Sequence, residues 1–462
     1  MKQRKLLLGL FLAIVASASA GTVRMKTNKA VGESLTFVVN AGVQLKLTWG
    51  SGDSDEITST GLPQTVEIKD ASLQMTSEND IKSLYLADNE LTELNVSGIS
   101  SSLRTLCCAN NQLKTLSLSG CTSLVALDCQ GNQLTTLSVP SSKMEDLNSA
   151  NNQLSTIGLS STGNLVSMVC ANNKISNLNS LSNMTKLTAL FCQGNQISTL
   201  SLTRNANLKH LIASDNKIRT ITFIPTSQSS ADPGLKTLED LWVSNNSLTT
   251  IDISDQTALV GLVVANNNLT SVNWYPYSNT AARNKFKYLD FSNNMLSFNS
   301  FPNIYSTLTN NYTLDGNVAP QKQFKLLGDM QTNQPTGDDF KKLIERSAWN
   351  TLTKANVKLV DQNGTELQAD VDYKFSNYAL TFLTYPHDGV VLTLTSANYP
   401  GLEIQSLPFN VSPDPTGIET VETTADELNE NTRVYDLQGR QMNAASMKKG
   451  IYIVNGKKII IR

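Results

Sequence analysis

Leu106–Leu113 reads LCCANNQL, Leu127–Leu134 reads LDCQGNQL and Leu190–Ile197 reads LFCQGNQI. Each is apolar-x-apolar-x-x-Asn-x-apolar, and with a further apolar residue in front the phrase returns ten times between Ile81 and Phe298. Its fixed word is an asparagine, at Asn89, Asn111, Asn132, Asn152, Asn173, Asn195, Asn216, Asn246, Asn267 and Asn294. Seven of the nine intervals between them are 20 to 22 residues. Self-similarity at that period marks a solenoid, with one structural unit per coil. One copy would be a weak signal, but ten in register are not a chance reading of an apolar chain.

The spacing has a physical reason. In Leu84-Tyr85-Leu86 the two leucines point one way and Tyr85 the other, because strand side chains alternate. One short strand per coil, stacked coil on coil, builds a parallel sheet. The apolar column continues on the return path through Leu91, Leu94 and Val96. A single coil cannot bury these residues; its neighbours do. The asparagine stands where the chain leaves the strand. Its amide can bond backbone groups that the turn leaves unpaired, and stacked coils repeat that bond as a ladder. A merely solvated turn residue would not hold a fixed position while its neighbours vary. At ~21 residues per coil a full return helix does not fit, so turns and short 3₁₀ pieces are expected there.

This is the leucine-rich repeat pattern. It resembles the short repeats of bacterial surface proteins such as internalins, and especially the secreted leucine-rich repeat proteins of Bacteroidetes. The resemblance covers roughly half of the chain. It implies a mainly β fold, a right-handed solenoid whose parallel sheet lines a concave face. The expected organisation is a signal peptide at 1–20, a β-rich cap at 21–80, the solenoid at 81–323, a small β-sandwich at 324–412, a linker at 413–432 and a terminal hairpin module at 433–462.

Lys2, Arg4 and Lys5 precede an apolar run, Leu6 to Ala16, and a small-residue cleavage site, Ala18-Ser19-Ala20. The run is too short for a bilayer, so it reads as a signal peptide cleaved near Ala20. No cysteine follows that site, so a lipoprotein anchor is not indicated, and no other stretch is long and apolar enough to be a transmembrane segment. The cap is read from strand-like runs at Val23–Thr27, Ser34–Val39 and Val43–Trp49. Trp49-Gly50-Ser51-Gly52-Asp53 resembles the WGDG-like turn found ahead of such repeats, with one extra serine. Long insertions stretch two coils, at Pro225–Gly234 and around Trp274-Tyr275-Pro276-Tyr277; both fall on return paths.

After Phe298 the pattern stops. An amphipathic helix is expected at Asp338–Trp349, then strands at Asn356–Asp361, Asp372–Phe375, Ala379–Leu383, Val390–Thr395 and Leu402–Val411. His387-Asp388-Gly389 reads as a turn between two of them. Short, evenly spaced strands indicate a sandwich of Ig-like type. The chain ends in VYDLQGR (Val434–Arg440) and KGIYIVNGKKIIIR (Lys449–Arg462), where Asn455-Gly456 between apolar runs is a hairpin signal. This segment resembles the C-terminal sorting domain of type IX secretion substrates. With the signal peptide, that resemblance implies a secreted or outer-surface protein exported through the periplasm.

Charge and chemistry exclude several classes. There are 37 basic and 39 acidic residues and no basic block, so nucleic acid is not an expected partner. Cys108, Cys129, Cys170 and Cys192 all take the third apolar position of their repeats, where cysteine serves as a small hydrophobe. Cys108 with Cys129, and Cys170 with Cys192, fall on adjacent coils ~4.8 Å apart, near the short edge of disulfide geometry. Packed thiols and bridges are therefore the two alternatives. The spacings match no zinc motif and no histidine accompanies them, so neither metal nor cofactor is expected. His210 and Asp240 should be neighbours across coils, but a pair without a placed nucleophile is not a triad. Cys107 faces outward with no basic neighbour to activate it. No catalytic residue is assigned.

One column stands out. The outward residue at the centre of each strand runs Tyr85, Cys107, Asp128, Asn148, Val169, Phe191, Ile212, Trp242, Val263, Asp290. Five consecutive coils thus present Val169, Phe191, Ile212, Trp242 and Val263, an apolar stripe on a polar face scattered with Asp128, Asp146, Asp240 and Asp290. Such a stripe is a candidate binding surface, flanked by His210 and Asp240. The expected function is non-enzymatic binding of a protein partner, such as a host surface protein, or adhesion. The alternative is a glycan module in which Trp242, Phe191 and Tyr85 or Tyr288 stack on sugar rings.

Overall fold

The structure is a computed structural model describing residues 21–159, 163–223, 235–274, 287–296, 315–317, 330–331, 357–376, 379–395, 404–412, 434–436, 440–442, 450–454 and 457–461. It divides into two compact units, one holding residues 1–322 and 397–403, the other 323–396 and 404–462.

The first unit is a solenoid. Ten three-residue strands, from Ser83–Tyr85 to Tyr288–Asp290, pair in parallel and in register, and Asp315–Asn317 adds an eleventh. Leu84, Leu106, Leu127, Leu147, Met168, Leu190, Leu211, Leu241, Leu262 and Leu289 stack as one column, each 3% exposed or less. Behind it runs Leu86, Cys108, Cys129, Ser149, Cys170, Cys192, Ala213, Val243, Val264 and Phe291, equally buried. Pairing of His210–Ile212 with Asp240–Trp242, and of Gly261–Val263 with Tyr288–Asp290, stays in register across both insertions. Among the described residues there is no α-helix.

The return path holds the expected short 3₁₀ pieces and, beyond them, strand pairs. Short 3₁₀ turns lie at Ser97–Ile99 and Asn179–Asn183. Thr136–Ser138 also pairs with Thr156–Gly158, Thr199–Ser201 with Thr220–Thr222, and Thr250–Asp252 with Ser271–Asn273, each in parallel. The Thr- or Ser-apolar-x triplets of these six return paths are long enough for such ladders, where only turns and short 3₁₀ pieces were expected.

The asparagines form the ladder. Asn111 donates to the carbonyls of Leu86, Cys108 and Ala109 and accepts from the N–H of Asn89 and Leu91. Asn132 donates to Cys108 and Cys129 and accepts from the N–H of Leu113. The same pattern continues through Asn152, Asn173, Asn195, Asn216, Asn246, Asn267 and Asn294. Each rung ties a coil to the one before it, so the ladder holds the stack together as well as closing each turn.

A second feature precedes it by one residue. In all ten coils the residue before the ladder asparagine has φ between 54° and 68°: Asp88, Asn110, Gly131, Asn151, Asn172, Gly194, Asp215, Asn245, Asn266 and Asn293. Asn, Asp and Gly tolerate that region best. The exposed amides also bond across coils, Asn172 to Asn151 at 2.8 Å and Asn293 to Asn266 at 2.8 Å. Gly131 interrupts this outer run, and a Cβ there would meet the Asn110 side-chain oxygen. Gly131→Ala should therefore lower stability by roughly 1–2 kcal/mol, the usual penalty for a left-handed non-glycine residue. Gly131→Asn, the residue used in neighbouring coils, should cost clearly less. Equal melting shifts for the two would contradict this reading.

The first coil is closed by strands drawn from residues 21–77. Ser34–Val39 pairs antiparallel with Ser83–Tyr85, extending the main sheet, and Gln64–Glu67 pairs on its far side. Leu91–Asn95, the first return strand, pairs instead with Gly21–Thr27 in a second sheet with Ser72–Ser77, Gln44–Trp49 and Ser54–Thr58. Trp49, Phe37, Leu35, Leu45 and Leu47 fill the space between the two sheets. Asn89 bonds the backbone of Thr36 in both directions, at 3.0 and 2.6 Å, so the first rung of the ladder is anchored in this segment.

The second unit contains a sheet of Met330–Gln331, Phe409–Ser412, His387–Leu394 and Val357–Val360, with Ile404–Gln405 paired beside His387–Leu394. A hairpin of Tyr373–Ser376 and Ala379–Phe382 supplies a second layer. Phe382 meets Phe409 edge-on with ring centroids 6.0 Å apart, which packs the layers together. His387-Asp388-Gly389 opens a strand and is not a separate turn; the register shifts between His387 and Val390, and Gly389 has φ 58°. A positive-φ glycine serves a bulge as readily as a turn, which is why the dipeptide misled. The helix expected at 338–349 lies outside the described residues. Four further strands run in the order Gln441–Met442, Val434–Tyr435, Gly450–Val454, Lys457–Ile461. Val454 pairs with Lys457; the Asn455-Gly456 turn expected between them lies outside the described residues.

Candidate binding face

Because strand side chains alternate, burying Leu211 and Leu241 turns His210, Ile212, Asp240 and Trp242 to the other side of the sheet. Val169, Phe191, Ile212, Trp242 and Val263 are consecutive partners in the register, so the five stripe residues form one continuous row. They are unequal. Val169, Phe191, Ile212 and Val263 are half-buried by their neighbours, whereas Trp242 is 41% exposed.

Trp242 has a companion that the central column did not reveal. Tyr288, two strands away and at the register of Asp240, two residues before Trp242's own, is 36% exposed. Its ring lies 6.3 Å from the Trp242 ring, tilted by 34°. The sequence names Tyr288 only as an alternative sugar-stacking residue; its place beside Trp242 comes from reading the two outward columns together. Between them sits Gly261, partner of both Asp240 and Tyr288. Beside Trp242, His210 Nδ1 and Asp240 Oδ2 are 2.8 Å apart, with both side chains more than a third exposed. At the strand starts Lys209 bonds Glu239 at 2.9 Å and holds that carboxyl below its ordinary range. An exposed pair of this kind adds little stability.

Other candidate residues look different in three dimensions. Asp128 is not a free surface charge: it is 6% exposed and accepts the Gln130 N–H at 3.1 Å. Burial raises its pKa, against the lowering effect of bonds from Gln130 and Asn148. A carboxyl whose pKa is higher folded than unfolded binds more protons in the folded state. Its ionisation therefore weakens folding as pH rises from the ordinary carboxylate range through the raised value. Asp128→Asn should melt at or above the parent temperature at neutral pH, with the difference fading toward acid. A variant less stable at pH 7 than at pH 4, relative to the parent, would contradict this.

All six cysteines are free thiols. Cys107 is half-buried, and burial pushes it up to about 11; Cys170 is pushed up to about 12 for the same reason. Such thiols carry almost no thiolate at neutral pH and are poor nucleophiles. His210 bonds Asp240 and, among the described residues, no hydroxyl or thiol. No group of three His, Cys, Asp or Glu among the described residues could hold a metal ion. No helix among them is long and apolar enough to cross a membrane.

Residues 101–142 match the family model for leucine-rich repeats, two copies. Among solved structures, a leucine-rich repeat protein of Leptospira interrogans is 25% identical, with 46% of this chain and 55% of that chain covered and a TM-score of 0.38. The LRIM1/APL1C complex gives 16% identity, 72% and 47% coverage and a TM-score of 0.41. An internalin of Listeria monocytogenes gives 20% identity, 52% and 72% coverage and a TM-score of 0.37. The chain thus spans about half the length of the first two. No curated protein sequence matches. The fold is a mainly β solenoid of leucine-rich repeats.

Proposed function

We propose that this protein is a non-enzymatic binding protein that engages a protein partner through the outward face of its parallel sheet, centred on Trp242. The observation that carries this is the exposure of Trp242 beside Tyr288, on a face of otherwise half-buried or polar residues. Large aromatics dominate interface energetics, and a solenoid sheet presents them on a rigid frame. Leucine-rich repeats commonly serve as protein-binding scaffolds, and the buried, protonated thiols favour a scaffold over a nucleophilic enzyme. Sugar sites usually pair aromatics with several free amides and carboxylates, whereas here Asp240 and His210 bond each other.

The test is capture from extracellular material by the full chain and by an Ile212→Arg variant of equal melting temperature. Loss of the captured proteins with the variant is expected. Unchanged capture would retire the outward face as the binding surface.

The placement of the protein is part of the same reading: export by the N-terminal signal, then surface display directed by residues 433–462. Deleting 433–462 should leave the solenoid folded and hold the protein in the periplasm of a type IX-competent host. Normal surface display of the truncated chain would count against the sorting role.

A further inference from the structure

The two outward columns of the ten main strands hold Asp128, Asp146, Asp240 and Asp290 but no lysine or arginine; His210 is their one basic residue. Lys82, Arg104, Lys209 and Lys287 stand one residue before their strands, at the edge, and Lys209 is already bonded to Glu239. The face around Trp242 is therefore aromatic and acidic.

Gly261 shapes it. A Cβ at this position would stand 2.9 Å from Asp240 Oδ1 and 3.5 Å from Trp242 Nε1. With no side chain there, the carboxylate and the indole come down next to each other over bare backbone, and Tyr288 closes the far side. Asp240 Oδ2 takes the bond to His210, which fixes the carboxylate and leaves Oδ1 on the Gly261 side. The result is an exposed aromatic surface with a carboxylate oxygen at its rim.

We propose that this is a guanidinium subsite: an arginine side chain of the protein partner stacks on Trp242 and is hydrogen-bonded by Asp240. The inference rests on the protein-binding reading above and names the chemistry that reading would select. A planar, weakly hydrated cation suits both elements. It stacks on an aromatic face, and its N–H fork donates to a carboxylate. The lysine ammonium is more strongly hydrated and cannot stack as a plane, so it gains less from the same groups. An anion meets four carboxylates and a single histidine, itself bonded to Asp240, on these columns, and a sugar ring would find few free hydrogen-bonding partners.

The test uses the full chain and follows the indole N–H resonance of Trp242, assigned with Trp242→Phe. N-acetyl-arginine amide, N-acetyl-lysine amide and maltose are titrated separately into the tens-of-millimolar range. Arginine should give a saturable shift, with lysine weaker by about threefold or more and maltose without effect. Asp240→Asn should weaken the arginine response by about fivefold or more. Gly261→Ala, which crowds carboxylate and indole, should weaken it as well. A response to maltose alone, equal responses to arginine and lysine, an unchanged response in Asp240→Asn, or no arginine response would each overturn the subsite. If arginine has no effect but Trp242→Ala still abolishes protein capture, only the guanidinium subsite falls. If capture is indifferent to Trp242→Ala, the binding centre itself is wrong.

Discussion

Asn132→Ala should lower stability by on the order of 1–3 kcal/mol, the cost of leaving buried polar groups unpaired. The Asn132 amide donates to the carbonyls of Cys108 and Cys129, 2.9 and 3.1 Å away, and its oxygen accepts the Leu113 N–H at 3.0 Å. Removing it strands groups on two coils at once. Gln133→Ala, the exposed next residue, should stay within about 0.5 kcal/mol. Urea unfolding of the two variants measures the difference directly. Equal midpoints would mean that the ladder does not hold the coils together.

Trp242→Ala should have the opposite profile. Its side chain fills no core, so the melting temperature should hardly move. Its loss from the centre of a binding face should cost roughly 2 kcal/mol or more of affinity, about thirtyfold. The rival account places Trp242 under another segment of the chain. That account predicts a drop of many degrees on truncation, and its 41% exposure argues against it. Thermal unfolding of the purified variant separates the two even before a partner is identified.

The repeat itself was legible because a period is a one-dimensional property. Leucine spacing determines which side chains face the interior, and the asparagine position follows from where each strand ends. The ladder bonds at Asn111 and Asn132 were inferable for that reason. Burial across coils was less legible. Asp128 and Asp290 occupy the same outward column, yet one is nearly covered and the other only half-buried. The difference lies in how neighbouring side chains lean, which no period records. The pad of Trp242 and Tyr288 was half legible. The tryptophan stood in the central column, while its partner, named only as a sugar-stacking alternative, stood two residues away in register and two coils on, across the space that Gly261 leaves free. The sharing of strands between residues 21–77 and the first coil was likewise hidden, since Leu91–Asn95 has the composition of any other return path.

The most direct test of the account is oxidative footprinting of the full chain, alone and with the proteins it captures. In the free chain Trp242 and Tyr288 should oxidise readily, while Trp49, 2% exposed inside the first unit, should resist. In the complex Trp242 and Tyr288 should become protected and Trp49 should not change. Protection of Trp242 in the free chain, or equal oxidation with and without captured protein, would contradict the claim that this face is the binding surface.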